Sequence, residues 1–392
     1  MIVGAGVSGI GAACHLARRC PERSFVLLER RADLGGTWDL FRFPGVRSDS
    51  DMFTYGYAFR PWMQPTTMAD GAAIQAYLRE TAAEHGVSER IRYRRRLTRA
   101  AWSSAEGRWS LTVRDEETGD EERLACRFLV GCTGYFHHDR GHRPELPGEA
   151  RFRGPIVHPQ HWPEGLDVTG KRVVVVGSGA TAVTLVPALA RDAAHVTMLQ
   201  RSPSDVLSLP RRDLVSQALA SVLPKRFVYR LARRRNVALQ LAVYGASRRW
   251  PRLVRRILHL GMRRRLGRGF DLGHFTPAYA PWDQRLCMVP DGDLFDALGE
   301  GRAAVVTDRI DTFTEDGLRL ASGRELAVDL VVAATGFEVQ MLGGAVLEVD
   351  GEEVPLAERL TYKGVMVEGV PNAVVFFGYV NASWTLKVDL AG

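Results

Sequence analysis

Cysteine is scarce in this 392-residue sequence, and its five copies are scattered. They form no C-x-x-C pair and no spacing typical of a zinc site. This absence argues against dithiol redox chemistry and predicts reduced, mostly structural thiols in a cytosolic protein. The five residues are Cys14, Cys20, Cys126, Cys132 and Cys287.

Long apolar runs are also missing. The most apolar stretch, 237–246, includes Gln240 and has about half the length needed to cross a bilayer. Met1 leads directly into a glycine turn, so we expect no signal peptide. With 46% apolar residues, 25% charged residues and no low-complexity tract, the composition is typical of a soluble, cytoplasmic protein of two domains.

Acidic residues almost disappear from segment 211–268. It contains 17 Lys or Arg residues and a single acid, Asp213, so its charge is +16, against about −9 for the remainder. Leu253, Ile257 and Leu260 recur within it at helical spacing. Three interpretations stay open: an inserted helical subdomain with a solvated basic face, a peripheral contact with the anionic inner face of the cell membrane, or a nucleic-acid contact. No recognition motif accompanies the charge, so we expect no nucleic-acid partner.

A first glycine turn opens the chain. Gly4-x-Gly6-x-x-Gly9 precedes a predicted helix, and Glu29 ends the next predicted strand. Such glycines allow a tight turn and close approach of the backbone to a pyrophosphate, while the carboxylate accepts hydrogen bonds from ribose hydroxyls. We therefore predict an ADP-ribose site, with an ordinary glycine-rich turn as the alternative.

A second glycine turn begins 173 residues later and follows a full predicted strand. It reads Gly177-x-Gly179-x-x-Ala182, and the next strand ends in Arg201-Ser202 instead of an acid. An arginine can pair with a 2′-phosphate that a carboxylate would repel, so this end favours NADPH over NADH. The alternative is a solvated charge at a strand end. The residues assigned to this site are Gly177, Gly179, Ala180, Thr181, Arg201 and Ser202.

Two such units predict an α/β fold with two Rossmann-like domains, one for FAD and one for NADPH, between which hydride passes. Disulfide reductases share this architecture, but the missing C-x-x-C excludes them and leaves oxygen as the expected electron acceptor. Turns at Gly134 and Gly336 mark the expected crossings between domains. We predict a discontinuous FAD domain (1–140 and 325–392, apparently truncated at its C-terminus), a linker (141–165), and an NADPH domain (166–324) that includes the basic helical insertion 211–268.

Two longer patterns carry a family resemblance. The first, F-x-G-x-x-x-H-x-x-x-W-[PD], fits Phe152, Gly154, His158, Trp162 and Pro163. The second, [AG]-G-x-W-x-x-x-x-[FY]-P-[GM]-x-x-x-D, fits at every fixed position from Gly35 to Asp49. Over essentially all of its length the sequence resembles the flavin-dependent Baeyer–Villiger monooxygenases, and within them the ethionamide-activating subgroup. The residues of the second pattern are Gly35, Gly36, Trp38, Phe43, Pro44, Gly45 and Asp49.

The resemblance implies a reaction. NADPH would reduce FAD, and oxygen would give a C4a-peroxyflavin that converts small hydrophobic ketones to esters or lactones and oxidises thio-compounds. Arg285 matches the family's catalytic arginine, whose permanent charge suits a peroxide anion. Asp49 matches the carboxylate that lies near this arginine and the flavin and orients the guanidinium. The resemblance also implies that Gly36, Thr37, Trp38 and Asp49 bind the cofactor. The residues alone leave open a phosphate contact or loop salt bridge for Arg285 and a turn cap for Asp49.

The two histidines of the first pattern raise the question of a metal. His158 and His161 are three apart, but Pro159 argues against a helix that would bring them together, and no cysteine or acid cluster supplies further ligands. We expect no metal. The resemblance implies a linker between the two domains, and our hypothesis is that His158 and Trp162 lock it.

Two alternatives remain. One is a related flavoenzyme that hydroxylates nitrogen or sulfur without Baeyer–Villiger chemistry. The other is a truncated, catalytically impaired flavin-binding relative, because members of the family usually start earlier and continue past Leu390 into a helix of the FAD domain. Trp384 is then expected near the flavin or the substrate.

Overall fold

The computed structural model describes residues 1–284, 286–379 and 382–392. Arg285 lies outside the described residues. The α-helices within the described residues are α1 (Val7–Arg19), α2 (Thr37–Leu40), α3 (Met52–Tyr55), α4 (Gly71–Glu84), α5 (Ala180–Leu189), α6 (Leu214–Ala220), α7 (Lys225–Arg249), α8 (Pro251–Leu266), α9 (Asp293–Gly299) and α10 (Trp384–Ala391).

The strands alternate with helices around both glycine turns but run without an intervening α-helix between α4 and α5 and between α9 and α10. They are β1 (Ile2–Val3), β2 (Leu27–Leu28), β3 (Ile91–Arg92), β4 (Arg95–Ser103), β5 (Arg108–Asp115), β6 (Glu121–Cys126), β7 (Leu129–Gly131), β8 (Phe136–Gly141), β9 (Ile156–Val157), β10 (Arg172–Val176), β11 (His195–Gln200), β12 (Val206–Leu209), β13 (Cys287–Pro290), β14 (Ala303–Thr307), β15 (Ile310–Thr314), β16 (Gly317–Leu320), β17 (Glu325–Ala327), β18 (Leu330–Ala333), β19 (Phe337–Val339), β20 (Val346–Val349), β21 (Glu352–Glu353), β22 (Thr361–Tyr362), β23 (Met366–Val367) and β24 (Ala373–Val375).

A parallel five-stranded sheet in the order β24-β7-β1-β2-β3 carries the first glycine turn. Its strands are short, and the strand predicted to end at Glu29 contains only Leu27–Leu28. Ile2, Leu27 and Ile10 of α1 are fully buried together. Both faces of such a sheet are covered, and apart from Arg92 at the edge strand β3 its strands contain no charged or polar side chain.

A second parallel sheet, in the order β14-β11-β10-β18-β9, carries the second glycine turn. Val173, Val174 and Val175 are buried on both of its faces. Strand β18 pairs with β10 at the centre of this sheet, although our domain prediction assigned its residues to the FAD domain. We therefore propose that the crossing back to the FAD domain lies at the Gly336 turn and not at 325.

Strands β4, β5 and β6 form an antiparallel sheet, and a turn over 116–120 joins the last two strands. Strand β20 adds to β4 in parallel and β24 adds to β7, so the C-terminal part of the chain returns to the N-terminal part. This return is the arrangement expected for a discontinuous first domain.

The basic insertion forms α6, α7 and α8. Its central helix α7 packs against α3, and α8 packs against α9. The apolar stripe that the sequence indicated on α8, Leu253, Ile257 and Leu260, is 53–61% exposed, while Leu258 and Met262 form the buried face. Among the described residues, no helix combines the length and apolar character required to cross a membrane.

Candidate cofactor and substrate sites

The first glycine turn is sterically closed around its own backbone. Gly4 has φ +101°, and a Cβ there would lie 2.5 Å from the carbonyl oxygen of Cys132. A Cβ on Gly9 would overlap the carbonyl oxygen of Gly4. Helix α1 begins after Gly6, and no side chain caps it. Its first backbone N–H groups are therefore left for an anion such as a pyrophosphate.

Gly36 joins this turn from a separate loop. A Cβ on Gly36 would lie 3.0 Å from the Cα of Gly6, so the two backbones approach closely. Thr37 starts α2, and Trp38 Nε1 donates to the hydroxyl of Tyr55 at 2.7 Å. Burial raises the pKa of this tyrosine, with the charge of Asp49 as a further cause. The phenol therefore stays neutral and acts as an acceptor for Trp38.

Glu29 follows β2 and is 4% exposed. Its carboxylate accepts from the backbone N–H of Ala5 at 2.7 Å and of Arg31 at 2.8 Å. Burial raises its pKa, and these two hydrogen bonds oppose that shift. Each oxygen retains a lone pair, so Glu29 can tie the glycine turn to the sheet and still accept from a ribose hydroxyl.

The second glycine turn is more open. Gly177 has φ +141°, and a Cβ there would overlap the carbonyl oxygen of Ala334, whereas Gly179 has no atom within 4 Å of its added Cβ. Helix α5 begins after Gly179 at Ala180 and Thr181 without a side-chain cap. Arg201 is exposed at the end of β11.

In the second turn a serine, Ser178, makes the side-chain hydrogen bond to a neighbouring segment that Glu29 makes in the first turn. Its Oγ donates to the carbonyl oxygen of Ser202 at 3.0 Å. Both turns thus combine a glycine that allows close approach with an uncapped helix N-terminus, and both fit the phosphates of a dinucleotide.

The histidine of the linker pattern joins the ends of two strands of the second sheet, β9 and β18. His158 Nε2 donates to the carbonyl oxygen of Gly336 at 3.1 Å, while Nδ1 accepts from the N–H of Gln160 at 3.2 Å. Burial lowers the pKa of His158, which favours the neutral ring that these two bonds require. Both ring nitrogens are occupied, so neither offers a lone pair to a metal. Within the described ranges, no group of three or more His, Cys, Asp or Glu residues could hold a metal ion.

The other pattern residues contact the second sheet and the strands next to it. Phe152 makes an edge contact with Phe313, at 5.6 Å between ring centroids, and Gly154 lies so close to the backbone of Asp329 that a Cβ would meet its carbonyl oxygen at 2.5 Å. Trp162 is half-buried against the core of the second sheet, and Pro163 is exposed. The pattern therefore describes packing of the linker on the second sheet.

Asp49 borders a cavity of about 420 Å³. Leu286, the residue after Arg285, is distant from Asp49 in the sequence but lines the same cavity. Half of the lining side chains are apolar, and apolar atoms form most of the cavity surface, as in sites for small organic molecules. The lining residues include Asp49, Asp51, Met68, Leu209, Leu214, Val215, Asn236, Leu239, Gln240, Trp282, Leu286, Met288 and Ser383.

Sequence reasoning missed the contribution of the basic insertion to this cavity. Asn236, Leu239 and Gln240 of α7 line it, although the insertion was interpreted only as a surface module. The available signal was two amides four residues apart in a helix that is otherwise rich in arginine and apolar residues.

The C-terminal helix α10 packs on α1 and α3. Trp384 Nε1 donates to Ser8 Oγ at 2.7 Å beside the first glycine turn, and the indole stacks on Tyr135 with 5.5 Å between ring centroids. Helix α10 therefore places Trp384 beside the first glycine turn.

Comparison with known proteins identifies relatives over the whole chain. It is 57% identical to the putative FAD-containing monooxygenase MymA of Mycobacterium tuberculosis over 396 residues, covering 100% of this chain and 80% of the relative. It is 52% identical to the FAD-containing monooxygenase EthA of Mycolicibacterium smegmatis (100% and 79% covered). It is 48% identical to the probable FAD-binding monooxygenase AlmA of Acinetobacter baylyi (100% and 78% covered).

Solved structures share the fold. OTEMO in complex with FAD and NADP superposes with a TM-score of 0.81 at 22% identity, covering 100% of this chain and 82% of that one. Cyclohexanone monooxygenase with bound ε-caprolactone gives 0.81 at 19% identity (100% and 84% covered). The predicted two-domain flavoprotein fold is thereby confirmed. A model of the flavin-binding monooxygenase-like family matches residues 1–365, and the chain belongs to this family.

Proposed function

We propose that this protein is an FAD- and NADPH-dependent monooxygenase of the Baeyer–Villiger type. It converts a ketone, O2, NADPH and a proton into an ester or lactone, water and NADP⁺, and it also oxygenates sulfur compounds. The observation that carries this proposal is the apolar cavity bordered by Asp49 and Leu286, in a chain that holds two dinucleotide turns and the complete linker pattern. FAD, when bound, supplies the oxygen-transfer chemistry.

The cofactor-binding roles follow from the two turns. The N–H groups at the start of α1 hold the FAD pyrophosphate, Glu29 accepts from its ribose, and the loop from Gly36 to Trp38 covers it. The N–H groups at the start of α5 hold the NADPH pyrophosphate, and Arg201 pairs with the 2′-phosphate.

The catalytic roles are electrostatic. The Arg285 guanidinium stabilises negative charge on the oxygen being transferred without donating a proton, because arginine stays charged at any working pH. Asp49 orients that guanidinium. The apolar lining keeps water away from the reacting oxygen and binds the hydrocarbon part of the ketone.

An isotope experiment tests the reaction. The purified chain receives FAD, NADPH, a cyclic or aryl ketone and ¹⁸O2, and the products are analysed by mass spectrometry. We expect an ester carrying one ¹⁸O atom, and loss of the ester with continued NADPH oxidation in Arg285→Ala. A sulfoxide or hydroxylamine without any ester would favour the heteroatom hydroxylase. Colourless protein that takes up no FAD would favour the impaired relative.

We also propose that this cytoplasmic enzyme contacts an anionic membrane surface through α7 and α8. Phe227, Leu231 and Leu241 on the solvent side of α7 are 46–67% exposed, and Leu253, Ile257 and Leu260 on α8 are similarly exposed. Arginines lie beside these apolar residues, and the single acid of the segment, Asp213, is engaged by Arg235 and Ser216. Exposed apolar residues flanked by arginines favour the interface of an anionic bilayer.

Vesicle binding tests the membrane contact. We expect co-sedimentation with vesicles of phosphatidylglycerol, weakened by high salt and by Leu253→Ser with Leu260→Ser. Leu360→Ser, at a residue that is 77% exposed elsewhere on the chain, is the matched control. Absence of binding at low salt, or binding of DNA in preference to vesicles, would overturn the proposal.

A further inference from the structure

Asp51 joins the N-terminal part of the chain to the basic insertion. As the N-cap of α3, its carboxylate accepts from the backbone N–H of Thr54 at 3.1 Å and from the Thr54 hydroxyl at 2.6 Å. The same carboxylate reaches α7: Oδ1 accepts from Asn236 Nδ2 at 3.0 Å and Oδ2 from Gln240 Nε2 at 2.9 Å. The Asp51 side chain thus binds two residues that lie 185 and 189 positions later in the sequence.

Arg233 fixes the same helix at a second point. Its guanidinium donates to the carbonyl oxygens of Phe53 at 3.0 Å and Gly56 at 2.8 Å, at the C-terminal end of α3. It also pairs with Asp389 of α10 at 3.2 Å. A cation at a helix C-terminus is favourable. The helix α7 is therefore attached to both ends of α3 through oriented, charge-assisted hydrogen bonds.

The amides that bind Asp51 also line the cavity, together with Leu239 between them. Leu239 is 57% exposed, as expected at the rim of an open cavity. The position of this part of α7 therefore determines how far its side chains reach into the cavity. A small displacement of α7 would change the volume of the cavity and therefore the size of the substrates that fit it.

We propose that Asp51 is the positioning residue that holds α7 as one wall of the substrate cavity, and that Asn236, Leu239 and Gln240 select substrates by the size of their hydrocarbon part. This inference rests on the proposed function for its substrate class. Ketones with a long alkyl chain reach Leu239 and depend on the wall, whereas compact cyclic ketones depend on it less.

The donor and acceptor pattern allows an exchange experiment. Asp51→Asn turns one acceptor oxygen into an NH2 group that faces the NH2 of Gln240, and Gln240→Glu places two carboxylates face to face. The double variant restores one donor opposite one acceptor with almost no change in volume. We expect each single variant to raise KM for a long-chain ketone about 10-fold, as for the loss of one hydrogen bond to a charged group. The double variant should return KM to within about 2-fold of the parent.

Two further readouts separate this proposal from a purely structural role and from failure of the proposed function. KM for a compact cyclic ketone should change less than KM for the long-chain ketone in all three variants, with kcat nearly constant. Hydrogen exchange of residues 225–249 should accelerate in both single variants and recover in the double variant, which is measurable even in a protein that forms no ester.

The matched control is Gln64→Glu, the same change at an exposed residue outside the cavity. Additive effects of the two single variants, or equal KM changes for both ketones, would overturn the inference. Unchanged hydrogen exchange in Asp51→Asn would overturn it as well.

Discussion

The two glycine turns have nearly the same sequence pattern but different surroundings. In the first, Gly36 closes over Gly6, and Glu29 binds the N–H of Ala5 from a buried position. In the second, Gly179 faces open space, and Ser178 binds Ser202 instead. An enclosed turn suits a cofactor that stays bound, and an open turn suits one that must leave after each catalytic cycle.

The third position of the pattern shows the same contrast. The first turn has Gly9, whose added Cβ would overlap the carbonyl oxygen of Gly4, whereas the second accommodates the methyl group of Ala182, which is fully buried. The same motif position is therefore restricted to glycine in one turn and open to alanine in the other. The difference arises from how closely each helix approaches its strand.

The largest expected effect comes from Gly9→Ala, which gives the first turn the pattern of the second. The overlap with Gly4 must displace α1 from β1, so we expect a loss of about 3 kcal/mol in the free energy of unfolding and no retained FAD. Urea unfolding of the FAD-free protein and flavin absorbance after gel filtration measure the two effects. Gly269→Ala, at a position with open space, is the control. Equal stability of Gly9→Ala and its parent would show that the two turns do not differ in this way.

Arg201→Ala addresses the open turn. Loss of a charge-assisted contact to the 2′-phosphate should raise KM for NADPH by about 10- to 100-fold, with KM for NADH unchanged and FAD content normal. Steady-state oxidation of both nucleotides measures this, and Arg191→Ala, exposed in the same part of the chain, is the control. Parallel changes with both nucleotides would assign Arg201 a role other than phosphate recognition.

Glu29→Gln addresses the enclosed turn. The amide keeps one acceptor oxygen but loses charge, so we expect about 10-fold weaker FAD binding. Because burial raises the pKa of Glu29 in the folded state, its contribution to stability is present below the usual glutamate pKa and is lost as pH rises through the raised value. The substitution should remove this part of the pH dependence of unfolding. Glu22→Gln, at an exposed position, should change neither FAD affinity nor the pH dependence of unfolding. If Glu29→Gln and the parent unfold with the same pH dependence, the assignment is contradicted.

The two turns and their sheets were predictable because their signals are local. Gly4 and Gly177 sit where only a residue without Cβ fits, and the buried valines of β10 appear as one apolar run. The order of the strands was less accessible. Assignment of β18 to the second sheet depends on pairing across more than 150 residues with β10, which no local pattern encodes.

The docking of the basic insertion was not predictable from local patterns. Helix α8 carries two apolar stripes with helical spacing, and spacing alone does not say which one is buried. One stripe, Leu253, Ile257 and Leu260, is exposed, and the other, Leu258 and Met262, is buried. Likewise the partner of Gln240 is Asp51, 189 residues away. Such contacts depend on how the insertion docks, which only the three-dimensional structure provides.

Ala182→Gly should have the smallest effect, although it is the reverse of Gly9→Ala at the equivalent position. Glycine inside α5 costs about 1 kcal/mol relative to alanine, and the lost methyl group leaves only a small void beside β10. We therefore expect a modest decrease in stability, unchanged FAD content and an NADPH KM within about 2-fold of the parent. Urea unfolding and NADPH kinetics check this, with Gly9→Ala measured alongside. We expect Gly9→Ala to lower the free energy of unfolding more than Ala182→Gly does. The reason is that the carbonyl oxygen of Gly4 occupies, in the first turn, the space that the methyl group of Ala182 fills in the second turn. If Ala182→Gly instead abolished NADPH binding, the third position would act on the cofactor in both turns, and the contrast between an enclosed and an open site would be wrong.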